Sequence, residues 1–320
     1  MISFKTIEEA HDRIRPFIHR TPVFTNKTIN GRVGAELFFK CENFQKIGAF
    51  KARGGLNAIL QVVANQEGKA ITTHSSGNHA QAVAFAARQV GLPAYIVMPR
   101  TAPRVKKEAV LGYGAEVIEC EPTLEAREAG VREVIERTGA VLVHPFDDDR
   151  VIAGQATATK ELIEDAGLQK YDTERPFDTI LAPVGGGGLL SGTSLATHYL
   201  SPETRVIAAE PEGAADAILS FHSGIVEKAP YIKTIADGLM TTLSDRTLTI
   251  IREHVTDILT VSDDEIIAAM RLVWERMKII IEPSSAVPLA AVLKHTDQFA
   301  GQKIGIIVTG GNVDLGKLPF

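Results

Sequence analysis

Short apolar, β-branched runs recur along the chain, each closed by glycine, serine or proline and followed by a stretch with helical spacing. Residues 94–98 (AYIVM), 115–119 (AEVIE), 140–144 (AVLVH), 179–184 (TILAPV), 205–210 (RVIAAE) and 304–308 (IGIIV) read as strands. The stretches centred near 79–90, 102–112, 124–138, 152–165 and 188–200 read as helices. A strand that returns through a helix lies parallel to its predecessor, so this alternation predicts mainly parallel sheets covered by helices. Thr6-x-x-Glu9 and Ser262-x-x-Glu265 read as capping boxes that open two helices. After the second, Ile266, Ile267, Met270, Val273, Trp274 and Met277 share one face, which predicts a core stripe and a structural Trp274. There is no repeat of fixed period, no low-complexity tract and no linker.

Composition narrows the class. The 320 residues are 45% hydrophobic and 23% charged, which excludes disorder as the main state. At ~150 residues per domain the length predicts roughly two domains. No apolar run approaches the ~18 residues of a bilayer span, so no membrane partner is expected. With 34 Lys and Arg against 39 Asp and Glu, the net charge of -5 makes nucleic acid an unexpected partner. The first residues lack an apolar leader and soon carry Glu8, Glu9 and Asp12, so a cytoplasmic protein is expected. Cys41 and Cys120 form no CxxC pair and are expected as reduced, small core residues.

Candidate chemistry gathers at strand ends and turns, where open α/β sheets bind ligands. Gly185, Gly186, Gly187 and Gly188 stand between a strand and a helix, which suits either close approach of a phosphate to backbone N–H groups or a tight turn. The loop meets neither the P-loop pattern nor the GxGxxG spacing. Ser75-Ser76-Gly77-Asn78-His79 at a helix start is either a donor nest for a carboxylate or a capping loop. Lys51, in Phe50-Lys51-Ala52-Arg53-Gly54-Gly55, is a nucleophile if desolvated and an ordinary surface lysine if not. Thr309-Gly310-Gly311-Asn312 ends the last strand, and Glu282-Pro283-Ser284-Ser285-Ala286 opens a helix; each also reads as local structure alone. A phosphate loop, a lysine and a carboxylate nest together suggest a cofactor that carries both phosphate and aldehyde.

The motifs KCENFQKIGAFKARGG, SSGNHAQ, HPFDD, VIAGQ, GGGGLLSG, AAEPEGA, ADG, EPSSA and TGGN occur in that order. In them the chain resembles the fold-type II pyridoxal-phosphate enzymes, the tryptophan synthase β-like group. Within that group it is most similar to serine/threonine dehydratases, serine racemases and 3-hydroxyaspartate dehydratases. The resemblance runs from RTPV at 20–23 to GGNVD at 310–314. It implies a large cofactor domain over 1–69 and 148–320, a small substrate-carboxylate domain over 70–147, and a homodimer.

It also implies pyridoxal 5'-phosphate bound to Lys51, with Phe50 near the ring, Asn78 on the ring hydroxyl, and Thr309 facing the ring nitrogen with Glu282 nearby. Gly185, Gly186, Gly187 and Gly188, with Leu189, would hold the phosphate. Ser75, Ser76, Gly77 and His79 would hold the α-carboxylate of an amino-acid substrate, and Arg127 would lie near it. Lys51 would take the α-proton, and Ser76 would exchange a proton on the opposite face. Glu210, the carbonyl of Ala214, and Asp216 match a site for Mg²⁺ or a similar ion (Ca²⁺, Mn²⁺); these are hard oxygens, which also read as solvated loop acids. No zinc spacing occurs among the nine histidines. Residues 104–107 (RVKK) read as a solvated helix face, and 147–149 (DDD) lie in the HPFDD loop.

The implied activity is loss of water and ammonia from a β-hydroxy amino acid (L-threonine, L-serine or 3-hydroxyaspartate), with serine racemisation as the alternative. A neutral Thr309 favours elimination over transamination. Ala156 stands where the family has glycine in AGQGT, and Ile47 stands where nucleotide-activated racemases have a hydroxyl residue. The sequence ends at Phe320, just past GGNVD, so feedback control by a further domain is not expected. A non-catalytic binding protein would leave Lys51 structural, and a nicotinamide oxidoreductase lacks the glycine spacing it would need.

Overall fold

The computed structural model describes residues 2–102, 104–168 and 176–320. Its strands are β1 (Val23–Phe24), β2 (Glu36–Cys41), β3 (Ile71–His74), β4 (Ala94–Pro99), β5 (Glu116–Cys120), β6 (Val141–Leu142), β7 (Thr179–Pro183), β8 (Arg205–Pro211), β9 (Asp257–Val261) and β10 (Lys303–Val308). They form a six-stranded sheet in the order β1-β2-β10-β7-β8-β9 and a four-stranded sheet in the order β5-β4-β3-β6. Every pairing is parallel except β1 on β2. In the larger sheet the two ends of the chain meet, with Ile304 opposite Leu37 and Thr179. The continuous apolar run of β10 reflects burial on both faces, as a covered parallel sheet requires.

The strands expected from the sequence are present, with one marked shortening. The run at 140–144 pairs only through Val141 and Leu142. Beyond them Val143 N still donates to Thr72 O at 2.9 Å, but the Val143 carbonyl accepts from Thr73 Oγ1 at 2.8 Å and lies 3.0 Å from His79 Nε2, so side chains take over on its carbonyl side. The first helix, Phe4–Ile14, is capped by Ser3, not Thr6. Ser3 Oγ accepts from Thr6 N at 3.2 Å, and Thr6 Oγ1 accepts from Ser3 N at 3.3 Å. This earlier start puts Ile2 just before the cap and Ile7 one turn on, both buried in one cluster, which staples the helix entry. The Ser262–Glu265 box is as expected, and Trp274 packs half-buried against the core with Nε1 donating to Ile281 O at 3.1 Å.

Three helices that frame the site pack backbone to backbone: Lys51–Ala64, Asp149–Leu168 and Gly188–Leu200. A Cβ on Gly154 would lie 2.6 Å from Gly54 Cα, and one on Gly192 would lie 2.7 Å from Ala156 N. Ala156 is fully buried, so its methyl is accommodated where Gly192 offers no side chain. Between the same helices and β2 lies a buried ionic network that the sequence reading left unassigned. Arg53 donates to Glu42 Oε2 and Oε1 at 2.7 and 2.8 Å, and to Glu161 Oε1 and Oε2 at 2.9 and 2.8 Å. Lys40 Nζ joins at 2.7 Å from Glu161 and also donates to Thr21 O at 2.8 Å. Two cations face two buried carboxylates, with Asp165 Oδ2 a further 3.8 Å from Lys40 Nζ, and bidentate forks satisfy the charges that burial strips of water. Among the described residues no helix is long and apolar enough to cross a membrane.

Arg53 and Lys40 hold the Glu161 carboxyl at about 2, below its ordinary 4.5, against the opposing effect of burial. Such a group stabilises the fold above pH 4.5, and that contribution is lost as pH falls toward 2. Glu161→Gln leaves two buried cations undercompensated and should lower stability by about 3–5 kcal/mol at pH 7. Denaturant midpoints across pH should show the deficit shrinking through the acid range.

Candidate active site

Lys51 opens its helix directly after the loop that joins it to the end of β10. Ala49 bridges Gly310, and Phe50 N donates to Thr309 O at 2.9 Å. The Lys51 amine lies 5.1 Å from the centre of the Phe50 ring and donates to Pro145 O at 2.8 Å. Burial pulls its pKa down from 10.5 to about 8, and no carboxylate opposes that shift. An amine of this kind loses its proton near neutral pH and becomes a nucleophile and a base.

The four glycines follow β7, and the helix begins at Gly188. Protein packs on them from several sides. A Cβ on Gly186 would lie 2.3 Å from the Phe146 ring, one on Gly185 2.9 Å from Leu239 Cα, and one on Gly187 2.7 Å from Thr247 Cβ. Gly187 also has a φ of 85°, which a side chain disfavours. Among the described residues no group accepts from the N–H of Gly186, Gly187, Gly188 or Leu189. Free N–H groups at the N-terminus of a thirteen-residue helix suit a phosphate. The Leu189 side chain is buried in the core and offers such a ligand only its backbone.

Asn78, Glu282 and Asn312 interlock. Asn78 Nδ2 donates to both Glu282 oxygens at 3.0 and 3.1 Å, and Asn312 Nδ2 donates to Asn78 Oδ1 at 2.9 Å. Burial raises the Glu282 carboxyl to about 7 despite the Asn78 hydrogen bonds. Thr309 Oγ1 lies 2.8 Å from Ser285 Oγ, which also accepts from Gly310 N at 2.7 Å. Asn312 further donates to Ile47 O at 2.8 Å, and Gly48, with a φ of 70°, lies so close that a Cβ would meet Asn312 Oδ1 at 2.7 Å.

The serine nest leads into the helix Asn78–Val90, whose N-cap is Gly77 and receives no side-chain hydrogen bond. Ser75 Oγ accepts from Gly77 N at 3.2 Å, and Ser76 Oγ has no hydrogen-bond partner among the described residues. His79 is buried, with Nε2 at 3.0 Å from the Val143 carbonyl, so that nitrogen carries the proton. Its Nδ1 has no partner among the described residues, and burial keeps the ring neutral, with a pKa well below 6.5. A bare acceptor cannot donate to a carboxylate, which limits the part expected of His79 to its backbone N–H.

Two histidines complete the corner and were passed over in the sequence, although HPFDD held one of them. The rings of His74 and His144 lie 5.9 Å apart, and His144 lies 4.7 Å from Phe146. His74 is lowered chiefly by burial and next by the charge of Arg127, whose Nε donates to Thr123 O at 3.3 Å at the start of its own helix. Of residues 104–107, Arg104 is exposed as expected, whereas both lysines are half-buried and paired. Lys106 pairs with Asp237, whose turn abuts Gly185, and Lys107 pairs with Glu119 at 2.5 Å. Asp147 and Asp149 are held by Arg246 at 3.4 and 3.3 Å.

Away from the lysine, the Glu210 oxygens accept from Ala217 N at 2.8 Å and Ile218 N at 3.1 Å. Asp216 opens that helix, and its Oδ2 is buried without a partner among the described residues. Burial drives Glu210 up to about 8 and Asp216 to about 6. Among the described residues no group of three or more His, Cys, Asp or Glu is placed to hold a metal.

The family model "Pyridoxal-phosphate dependent enzyme" matches residues 14–310. A β-hydroxyaspartate dehydratase of Paracoccus denitrificans (strain Pd 1222) is 51% identical, over 99% of this chain and 98% of its own. The crystal structure of serine racemase from Dictyostelium discoideum superposes with a TM-score of 0.91 at 50% identity, covering 98% of this chain and 99% of that one. A threonine deaminase from T.th. superposes with a TM-score of 0.91 at 44% identity, again over 98% and 99%.

Between pH 4.5 and 7 an unfolded chain gives up the Glu282 proton while the folded chain keeps it. Folding stability should therefore fall as pH rises through that window. Glu282→Gln, which still offers Asn78 one acceptor, should flatten the fall in urea midpoints.

Proposed function

The chain belongs to the pyridoxal-phosphate-dependent enzyme family, with the tryptophan synthase β-like fold, and from that premise we propose an ammonia-lyase acting on β-hydroxy amino acids. The reading is a dehydratase for L-threonine, L-serine or 3-hydroxyaspartate that yields a 2-oxo or imino acid and ammonia. The observation that carries it is the desolvated Lys51 amine, whose one hydrogen-bond acceptor among the described residues is the Pro145 carbonyl. The likeness to a β-hydroxyaspartate dehydratase supports the substrate class.

The residues fit the cofactor. Phosphate would take the free N–H groups of Gly186 to Leu189, with Gly185 leading into the loop and the helix dipole behind it. Phe50 would flank the ring, Asn78 would reach the ring hydroxyl with Glu282 orienting it, and Thr309 would meet the ring nitrogen. When bound, pyridoxal phosphate supplies the aldehyde that links the substrate amine and the ring that spreads the charge left on the α-carbon. The chain's own residues do the rest. The helix start at Ser75 to His79 binds the α-carboxylate through hydroxyl and N–H donors. Lys51 Nζ takes the α-proton, which its lowered pKa makes feasible near neutral pH.

We assign residues 70–147 to a small domain and 1–69 with 148–320 to a large one, because β3 to β6 pair only with one another. Lys106 and Asp237 then bridge the cleft mouth. A homodimer is the proposed assembly. At Glu210, Asp216 and the Ala214 carbonyl we propose Mg²⁺ or a similar ion; the orphaned Asp216 oxygen and the raised carboxyl pKa values fit a bound cation.

Serine racemisation is the second reading. Its support is the unpartnered Ser76 hydroxyl at the helix start and the likeness to serine racemase. Chiral analysis of recovered serine separates the two.

Ammonia release should be measured with L-serine, D-serine, L-threonine and the 3-hydroxyaspartate isomers, with Mg²⁺ present and absent. Rapid release from at least one substrate is expected, with loss in Lys51→Ala; no release from any sinks the lyase reading. The rate should rise with pH through about 8, as Lys51 loses its proton. Asp216→Asn should abolish any Mg²⁺ stimulation while leaving the cofactor absorbance in place.

A further inference from the structure

We infer that His144 is a substrate-binding residue, a neutral hydrogen-bond donor whose Nε2–H grips the oxygen substituent on the substrate's β-carbon; the inference rests on the amino-acid chemistry proposed above. Two backbone N–H groups converge on its Nδ1, from Asp147 at 2.9 Å and Phe146 at 3.4 Å. A nitrogen that accepts these bonds carries no proton, so the neutral ring bears its proton on Nε2. The loop that imposes this tautomer is itself anchored, because Asp147 accepts from Ser244 Oγ at 3.0 Å and pairs with Arg246 at 3.4 Å. Charging the ring would set N–H against N–H. Burial first, then His74, also oppose the charge and hold the ring near 4.

Position supplies the second half of the argument. His144 follows β6, beside the strand end that carries His74. The next carbonyl, Pro145 O, receives the Lys51 amine, and Phe146 covers Gly186. His144 is half-buried, and its Nε2 has no acceptor among the described residues. A substrate with its amine toward Lys51 and its α-carboxylate on the helix start at Asn78 has its β-substituent left for this wall. A neutral imidazole N–H is too weak an acid to surrender its proton, so His144 holds the hydroxyl or a β-carboxylate and does not protonate it. Such a site favours β-oxygen substrates over apolar ones, because an apolar group leaves the donor unpaired.

The test uses the cofactor-loaded protein and reads affinity from the visible absorbance shift in stopped flow, before turnover. L-serine and L-alanine differ only in the β-hydroxyl. His144→Asn keeps an acceptor at the Nδ1 position for the loop amides but ends short of Nε2. It should weaken L-serine by about tenfold and leave L-alanine unchanged. His144→Gln, with an amide near the Nε2 position, should restore part of the preference. Equal losses for both amino acids, or none, would overturn the inference. So would ¹⁵N NMR that finds the His144 proton on Nδ1. Affinity is read without turnover, so the lyase reading fails separately, on absent ammonia. In that event a lost serine preference still supports His144, and a retained one overturns it.

Discussion

The double fork of Arg53 is the constraint on which the site's geometry depends. One fully buried guanidinium ties Glu42, just beyond β2, to Glu161 on the long helix Asp149–Leu168. Arg53 sits two residues beyond Lys51, on the same first turn of helix. A charge in this position has no water to fall back on, so its partners are held to one arrangement. The helix that presents Lys51 is thereby locked to both the large sheet and the helical layer. The amine itself is kept out of the network and left desolvated, and among the described residues it donates only to the Pro145 carbonyl. The fold places a paired charge and an unpaired one two residues apart, and the pairing of the first lets the second be reactive.

The glycines serve this arrangement in two senses. Gly54, Gly154 and Gly192 bring helices together at backbone distance, which fixes where Lys51 and the glycine loop stand relative to each other. Gly185 to Gly188 are demanded by neighbouring protein as much as by any ligand: Leu239, Phe146 and Thr247 leave no room for side chains. Packing of this kind holds the loop with its N–H groups turned away from protein acceptors. A loop fixed before the ligand arrives loses little freedom on binding it.

Burial disfavours charge on several polar groups of this site. Burial raises Glu282 and lowers His79 and His144. Hydrogen bonds then select one proton position on each ring: Val143 O for His79, and the Phe146 and Asp147 N–H groups for His144. The two rings end with opposite capabilities, a bare acceptor in one and a free donor in the other. Neutral dipoles of fixed direction suit a site where charge forms and disappears on the substrate.

Alternation of apolar runs and helical stretches was enough to read the parallel sheets, because buried parallel strands must be continuous apolar segments. The lysine, the glycine loop, the serine nest and the TGGN turn were also legible, since each joins a distinctive residue type to a strand end or helix start. The true cap at Ser3 was not, because Ser3, Thr6 and Glu9 form overlapping candidates and only the burial of Ile2 and Ile7 decides between them. Arg53 and Glu161 lie 108 positions apart, and neither marks the other in one dimension. The tautomers of His79 and His144, and the pairing of Lys106 with Asp237, depend on groups brought from distant segments. The sequence by itself determined which chemical groups were available and which local elements would carry them. Tertiary structure decided which of those groups lost their water and which found a partner, because desolvation and hydrogen-bond direction exist only once distant segments meet.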